Sequence, residues 1–188
     1  MTGNLTFKPL TRETWKGFEK LFGANGACGG CWCMTWRLSN AEYNTSKGAG
    51  NKAKMKAVVN RGEAIGIIAY IDEEPKGWCA VAPREKYIRL LKSRALKPID
   101  DKLVWSVSCF FMHKAYRRKG LSVPLLKAAI EYARSLGATI IEGYPVEPKN
   151  NKMPDVFAWT GILASYVKVG FTEEKRNSPT RPIVRYYL

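Results

Sequence analysis

The pattern of apolar and polar positions is clearest between residues 104 and 137. Nine residues, Val104 to Met112, are mainly Trp, Val, Cys and Phe, a composition typical of a strand that is covered on both faces. Apolar residues then recur at the spacing of a helix with one buried face: Leu125, Leu126, Ala129, Ile130, Ala133 and Leu136. Pro124 fits the first turn of this helix and Gly137 fits its end. The stretch therefore predicts a central strand, a turn and a long helix.

Shorter runs on either side predict the rest of a sheet and its covering helices. Apolar runs bounded by turn residues predict further strands at 5–10, 65–72, 78–82, 139–145, 171–175 and 182–188. Helical spacing predicts helices at 12–22, 52–61, 85–95 and 155–169. The strand at 139–145 follows the central helix closely, so it can pair in parallel with the central strand through a right-handed crossover. We expect a single domain that comprises residues 1–188.

The turn between the central strand and the helix, residues 113–122, combines a glycine with four cations: Gly120 with Lys114, Arg117, Arg118 and Lys119. Free N–H groups at a helix start and the helix dipole favour an anion there, and a glycine lets the backbone approach it closely. The common nucleotide motifs GxGxxG and GxxxxGK[ST] are both absent. The turn therefore predicts a phosphate-binding site of another kind. The alternative is a basic turn that only caps a structural helix.

Residues Arg117 to Ser122, Arg-Arg-Lys-Gly-Leu-Ser, resemble the acetyl-CoA-binding motif of the GCN5-related N-acetyltransferases. That motif reads Gln or Arg, two residues, Gly, one residue, and Gly or Ala, so Ser122 departs from it but is also small. The resemblance implies an α/β (α+β) fold, in which a mixed, mostly antiparallel sheet of six to seven strands contains a splayed parallel pair and is flanked by helices. The pantetheine arm of acetyl-CoA enters the gap of that pair in the family.

The same resemblance implies which residues bind the cosubstrate, acetyl-CoA. Backbone N–H groups around Phe111 and Met112, at the end of the central strand, are expected to donate to the thioester oxygen. The turn is expected to hold the phosphates. The complete predicted cofactor-binding set is Phe111, Met112, Arg117, Arg118, Lys119, Gly120, Leu121 and Ser122.

Two residues are candidates for proton transfer under this resemblance. The family often carries a Tyr four residues before Gly-Phe, and Tyr166 precedes Gly170-Phe171 at that spacing, so it is the candidate donor of a proton to the CoA sulfur. The alternative is a structural tyrosine in the core. Many relatives use a Glu on or beside the central strand as the base. This strand has none, so Glu142 on the next strand is the candidate, and strand alternation leaves open that it faces solvent.

Glycines, cysteines and tryptophans crowd residues 23–37, GANGACGGCWCMTWR. Cys28, Cys31 and Cys33 resemble part of a metal site, but this spacing lacks a second ligand pair, and the only histidine, His113, is distant in sequence. We therefore predict no bound metal. We predict instead a packed loop that lines the substrate pocket with four side chains: Trp32, Cys33, Trp36 and Arg37.

Composition restricts the possible partners. The formal net charge is +15, which attracts anions such as nucleic acids, membrane surfaces or phosphorylated ligands. The chain has no nucleic-acid-binding motif, so we expect no nucleic-acid partner and regard CoA as the anionic ligand. No apolar run approaches the ~20 residues of a membrane span, and the N-terminus lacks the apolar core of a signal peptide. The chain has five cysteines, and an odd number cannot all pair in disulfides within one chain. We expect no membrane association and a cytoplasmic location.

Three functions of different classes are compatible with these residues. The leading hypothesis is an acetyl-CoA-dependent N-acetyltransferase that transfers an acetyl group to the primary amine of a small molecule or peptide, by direct attack in a ternary complex. We expect a monomer or a homodimer. The alternatives are a CoA-binding sensor that has lost catalysis and a basic nucleic-acid-binding protein. Thermal stabilisation by CoA, and CoA release in the presence of amines, would separate the three.

Overall fold

Seven strands form one sheet within residues 3–148 and 153–188, the parts of the chain that this computed structural model describes. They are β1 (Leu5–Pro9), β2 (Gly66–Ile71), β3 (Glu74–Pro83), β4 (Trp105–Met112), β5 (Ile140–Gly143), β6 (Thr172–Arg176) and β7 (Pro182–Tyr187). Their order across the sheet is β1-β2-β3-β4-β5-β7-β6. Every neighbouring pair is antiparallel except β4 and β5. The predicted mixed, mostly antiparallel sheet is confirmed.

Six α-helices occur in the same described residues: α1 (Trp15–Phe22), α2 (Asn40–Thr45), α3 (Ala49–Asn60), α4 (Ile88–Leu91), α5 (Ser122–Ser135) and α6 (Leu163–Val169). Helix α2 has no buried side chain, so no apolar periodicity indicates it in the sequence. It is held at its start by a capping box, in which the Ser39 hydroxyl and the Glu42 carboxylate each accept from the other residue's backbone N–H. None of the helices described here is long and apolar enough to cross a membrane.

The helix predicted at 155–169 is shorter in the structure, and the reason is a tertiary contact. Residues 155–157 form a single 3₁₀ turn, and α6 begins only at Leu163. Between them the Trp159 carbonyl accepts a hydrogen bond from the Phe110 N–H of β4 at 2.6 Å, and Gly161 has a φ of 86°. The segment therefore lies beside the sheet instead of continuing a helix.

The sheet is covered on both faces, as its apolar strands predict. Alternate residues of β2 point to opposite sides: Ile67 packs with Leu125 and Leu126 of α5, whereas Ile68 packs with the aromatic side chains of α1. Trp78 of β3 is fully buried on the α1 side, with its ring 4.9 Å from that of Phe18. This sandwich fixes β4 between two packed layers, and β4 carries the site.

Strands β4 and β5 separate after three paired positions. The pairs are Trp105–Ile141, Ser106–Glu142 and Val107–Gly143. Strand β5 then ends, whereas β4 continues to Met112. The pairing of β4 with β3 shifts by one residue at Ser108, which marks a bulge at the point of separation. The result is the predicted splayed parallel pair, with the last residues of β4 at the edge of a gap.

Candidate functional site

A cavity of about 1010 Å³ occupies this gap and extends to the start of α5. Its walls are the end of β4, the basic turn, the first residue of α5 and the segment from Met153 to Ser165. Seven predicted cofactor-binding residues line it: Phe111, Met112, Arg117, Arg118, Gly120, Leu121 and Ser122. Lys119 does not, because its ammonium group points to the Tyr116 ring, 5.7 Å from the ring centre. The fold thus brings the strand end and the basic turn to one cavity.

The basic turn presents backbone N–H groups that have no acceptor. Arg118 and Gly120 both have left-handed backbone, with φ of 58° and 80°, and such pairs of residues form a concave array of N–H groups. In the described residues, the N–H groups of residues 119–122 donate to no other atom of the chain. They stand at the N-terminus of the 14-residue helix α5, whose dipole favours an anion. The turn is therefore suited to a phosphate group.

The two arginines of the turn reach across the mouth of the cavity. Arg117 and Arg118 lie 3.6 and 3.0 Å from carboxylate oxygens of Asp155, and the Arg117 Nε donates to the Met112 carbonyl at 3.2 Å. The Arg118 side chain is 77% exposed, and ion pairs in that setting stabilise weakly. A phosphate with two or more negative charges can therefore compete with Asp155 for both guanidinium groups.

Only one of the two predicted N–H donors on β4 faces the gap. The N–H of His113 donates to Lys76 on the β3 side at 2.9 Å, whereas that of Phe110 donates to Trp159 on the opposite side. Because N–H directions alternate along a strand, Phe111 directs its N–H toward β3 and Met112 directs its N–H toward the gap. Phe111 also lines the cavity, and its ring packs 5.2 Å from that of Phe22 of α1.

Tyr166 was predicted to donate a proton to the CoA sulfur, but it lies in the core and is not among the residues that line the cavity. The side chain is fully buried, and its hydroxyl donates to the Thr160 carbonyl at 3.1 Å. Its ring packs against Phe110 and Phe171 and closely under Gly161, which does line the cavity. Burial raises the pKa of this phenol. Tyr166 does lie one turn before Gly170 on the helix, but its hydroxyl already donates a hydrogen bond to the backbone carbonyl of Thr160.

Glu142 is also a structural residue, which corrects its assignment as the base. It is fully buried. One carboxylate oxygen accepts from Arg84 at 2.5 Å and from Tyr144 at 2.7 Å, and the other accepts from Arg185 at 2.9 Å. Arg185 also pairs with Asp100 at 2.7 Å, and this holds the pKa of that carboxyl at about 2. Glu142 thus ties β5 to β7 and to the turn that follows β3, and it does not line the cavity.

The four predicted pocket residues do not line the cavity directly. Trp32 and Cys33 are buried in the core on the α1 side, where Cys33 Sγ accepts from the Trp78 indole at 3.2 Å. Both have left-handed φ, 43° and 59°, so the chain turns these two side chains inward. From this segment the cavity receives Ala27 and Cys28 instead.

Trp36 and Arg37 stand one layer behind the cavity wall. The Trp36 ring packs at 5.5 Å on Trp159, which lines the cavity, and its indole N–H donates to the Ser108 carbonyl at 3.2 Å. Arg37 is 7% exposed and lies over the Tyr87 ring at 4.9 Å. The sequence analysis predicted that these two residues line the substrate pocket, but neither lines this cavity. It did not identify the contact of Arg37 with Tyr87, which is distant in the chain.

All five cysteines are free thiols. Cys28 is exposed, Cys31 is half-buried and Cys33 is buried. No cluster of three or more potential metal ligands occurs within 3–148 and 153–188. A hydrogen bond with Cys109 lowers the pKa of Cys33, and the same contact raises the pKa of Cys109.

The sheet, the splayed pair and the phosphate turn together define an α/β protein of the acyltransferase class. The model of the family described as "Acetyltransferase (GNAT) family" matches residues 32–160. The chain belongs to this family, whose cosubstrate is acetyl-CoA. No curated protein sequence is similar enough to this chain to count as a match.

Solved structures show the same fold at low sequence identity. PaiA N-acetyltransferase from Thermoplasma acidophilum, solved with coenzyme A, is 14% identical with a TM-score of 0.53, over 98% of this chain and 99% of that one. YncA from Salmonella typhimurium, solved with its cofactor acetyl-CoA, is 12% identical with a TM-score of 0.54, over 98% and 94%. A GNAT-family acetyltransferase from Streptococcus pneumoniae is 13% identical with a TM-score of 0.57, over 98% and 99%.

Proposed function

We propose that this protein is an acetyl-CoA-dependent N-acetyltransferase that transfers the acetyl group directly to a primary amine of a small molecule or peptide. One observation carries the proposal: a single cavity connects the unpartnered N–H groups of the basic turn to the Met112 N–H at the splayed strands. The first feature suits the phosphates of CoA, and the second suits the carbonyl oxygen of a thioester. The cavity joins them in the order in which they occur along the cosubstrate.

The binding groups follow from the geometry. The N–H groups of residues 119–122 hold phosphate oxygens, and Arg117 and Arg118 exchange Asp155 for phosphate. The Ser122 hydroxyl lies 3.0 Å from that of Ser165, which ties the start of α5 to α6 beside the cavity. Met112 donates its N–H to the acetyl oxygen, where negative charge develops during attack.

The chemistry requires two bond changes and one net proton movement. The thioester supplies an acyl carbon with a good leaving group. The amine nitrogen attacks this carbon, a C–N bond forms and the C–S bond breaks. The nitrogen loses a proton and the sulfur departs as a thiolate, which takes up a proton from solvent. The bound orientation, rather than a dedicated acid, contributes most of the rate in this arrangement.

No described side chain is placed as a base at the inner end of the cavity. The cavity-lining carboxylate is Asp155, at the mouth, where it pairs with the turn arginines. His113 lies at the strand end, and partial burial with Lys76, Lys114 and Arg117 nearby lowers its pKa. The acceptor amine therefore has to arrive without its proton. We expect kcat/KM to rise with pH up to the pKa of the amine itself, and to shift between acceptors accordingly.

A CoA-binding sensor is the second candidate, because Tyr166 and Glu142 are both committed to structural contacts. Calorimetry with CoA, followed by measurement of CoA release and of the acetylated product by mass spectrometry across an amine panel, separates the possibilities. We expect micromolar CoA binding and amine-dependent release. Binding without turnover of any amine would favour the sensor. Absence of CoA binding would overturn both assignments.

A further inference from the structure

Residues 153–158, which we call the strap, form one wall of the cavity at its mouth. Five of these six residues line the cavity. Residues 154–157 are exposed to solvent, and the apolar residues Val156 and Phe157 are 52% and 55% exposed. Burial of apolar side chains therefore contributes little to holding the strap in its position.

One carboxylate connects the strap to the phosphate turn. The backbone N–H groups of residues 157 and 158 donate to carbonyls within the strap at 3.0 and 3.1 Å, which closes a single 3₁₀ turn. Among the described residues, the strap makes its polar contacts with other elements only through Asp155, which lies 3.6 Å from Arg117 and 3.0 Å from Arg118. These two ion pairs therefore determine whether the strap stays against the turn.

The chain that follows the strap is fixed to the sheet. The Trp159 carbonyl accepts from the Phe110 N–H of β4 at 2.6 Å, and the Gly161 carbonyl accepts from the Val146 N–H at 2.8 Å. Thr160 between them is 1% exposed. The strap therefore has one firm end, about which it can pivot, and one end that only ion pairs hold.

The ion pairs of Asp155 are of a kind that a phosphate can break. The side chains of Asp155 and Arg118 are 39% and 77% exposed, and ion pairs in that setting stabilise weakly. A phosphate group carries more negative charge than a carboxylate and has more acceptor oxygens. A phosphate that binds the two arginines also repels the released carboxylate. Binding of phosphate therefore moves the strap away from the turn.

We propose that Asp155 is a latch, which holds the strap across the mouth of the ligand-free cavity and opens when the phosphates of CoA take its place on the arginines. This rests on the proposed acetyl-CoA-dependent function. Because the closed strap occupies the arginines that bind phosphate, it competes with CoA and lowers its apparent affinity. A ligand without phosphates, such as pantetheine, leaves the latch closed.

The first test measures the mobility of the strap by NMR relaxation of the backbone N–H groups of residues 156–158. In the ligand-free wild-type protein we expect order parameters of rigid backbone, about 0.85, and in ligand-free Asp155→Asn we expect values below about 0.6. The N–H groups of Val146 and Leu163, which bond the fixed segment and its neighbour, should stay rigid in both proteins. Equal mobility of the strap in the two ligand-free proteins would overturn the latch.

The second test adds ligands to the wild-type protein. Saturating CoA should lower the order parameters of the strap to those of ligand-free Asp155→Asn, whereas pantetheine at the same concentration should leave them unchanged. A strap that closes over its ligand would behave in the opposite way. Order parameters that stay the same or rise with CoA would therefore overturn the proposal, and so would a strap that pantetheine makes mobile.

Calorimetry measures the competition between the latch and CoA. Asp155→Asn should bind CoA roughly twofold to tenfold more tightly than the wild type, because binding no longer breaks two exposed ion pairs. Glu173→Gln is the matched control, since it removes one negative charge at a side chain that is 38% exposed and pairs with Arg176 away from the cavity. Its CoA affinity should equal that of the wild type.

The remaining outcomes separate the latch from simpler roles of Asp155. Unchanged or weaker CoA binding by Asp155→Asn would overturn the competition. Tighter binding by Asp155→Asn with a strap as rigid as in the wild type would make Asp155 only a source of repulsion, and would also overturn the latch. Absence of CoA binding by the wild-type protein would overturn the proposed function itself, and the mobility of the two ligand-free proteins would report separately on whether Asp155 holds the strap.

Discussion

The phosphate turn and the junction of β4 and β5 differ in the kind of polar groups that they hold. At the phosphate turn the donors are exposed backbone N–H groups and two arginines, joined to the rest of the protein by loose contacts with Asp155. At the junction of β4 and β5 the polar groups are enclosed side chains. There Glu142 is balanced by two arginines, whereas Arg37 has no counter-charge among the described residues.

This difference separates residues that bind from residues that support. An exposed donor without a protein partner costs little free energy, because it forms hydrogen bonds with water. An open turn can therefore be altered without loss of the fold. A buried charge is costly without a partner, so removing one member of a buried ion pair destabilises the fold.

The largest effect is expected at the phosphate turn. Gly120→Glu should weaken CoA binding by at least about 100-fold, because a carboxylate would stand among the N–H groups that face the phosphates. A side chain at a φ of 80° also strains the backbone, which lowers the stability of the folded protein by roughly 1 kcal/mol. Gly137→Glu is the matched control at the other end of α5, since its φ is 87° and it also stands in open space. Calorimetry measures the CoA affinity of both variants. Equal affinity would mean that this turn does not bind the phosphates of CoA.

At the junction, removal of a balanced charge should reduce stability instead of binding. Glu142→Gln leaves Arg84 buried with a neutral partner, whereas Arg185 keeps its ion pair with Asp100. We expect the free energy of unfolding to fall by about 3–5 kcal/mol, because one buried ion pair is broken. Glu131→Gln is the control, because that carboxylate is exposed and makes only a long ion pair of 3.7 Å with Arg134, which contributes little to stability. Urea denaturation measures both. A Glu142→Gln variant with wild-type stability and a large loss of turnover would restore Glu142 as a catalytic base.

Neighbouring residues carry the prediction of the phosphate turn, whereas the buried contacts at the junction of β4 and β5 depend on residues that are distant in the chain. The turn depends on neighbouring residues, with an apolar strand before it, Gly120 within it and an amphipathic helix after it, so all its groups are adjacent in the chain. The Arg37–Tyr87 pair joins residues 50 positions apart, and Glu142 meets Arg84 across 58 positions. A pattern in one segment does not reveal such partners. The expectation that Arg37 faces the acceptor side rests on its neighbours Trp32 and Trp36, and nothing near Tyr87 in the sequence indicates its contact with Arg37.

The shortened helix after β5 explains why the sequence suggests a catalytic role for Tyr166. A continuous helix from 155 to 169 would carry this phenol toward the splayed strands. In the structure Trp159 pairs with β4 and Gly161 turns the chain, so α6 begins later and Tyr166 points inward. The spacing from Gly170 is preserved, but the orientation depends on where the helix starts, which a long-range hydrogen bond determines.

The smallest effect is therefore expected for Tyr166→Phe. The change removes one buried hydrogen bond to Thr160 and keeps the ring, so we expect a loss of about 1 kcal/mol in stability. A general acid would contribute roughly 10²–10⁴-fold to the rate. We expect the turnover rate to stay within about threefold of the wild type instead, because the hydroxyl already donates to a carbonyl. Steady-state kinetics with saturating acetyl-CoA, together with thermal melting, measures both quantities.

Tyr132→Phe on α5 is the control for this substitution, since Tyr132 is another partly buried helix tyrosine and does not line the cavity. Its turnover rate should equal that of the wild type. The opposite result for Tyr166→Phe would be turnover slowed by roughly two orders of magnitude, the effect of a lost general acid, at an unchanged melting temperature. That outcome would mean that the phenol rotates toward the gap when the cosubstrate binds, and the junction of β4 and β5 would then take part in proton transfer after all.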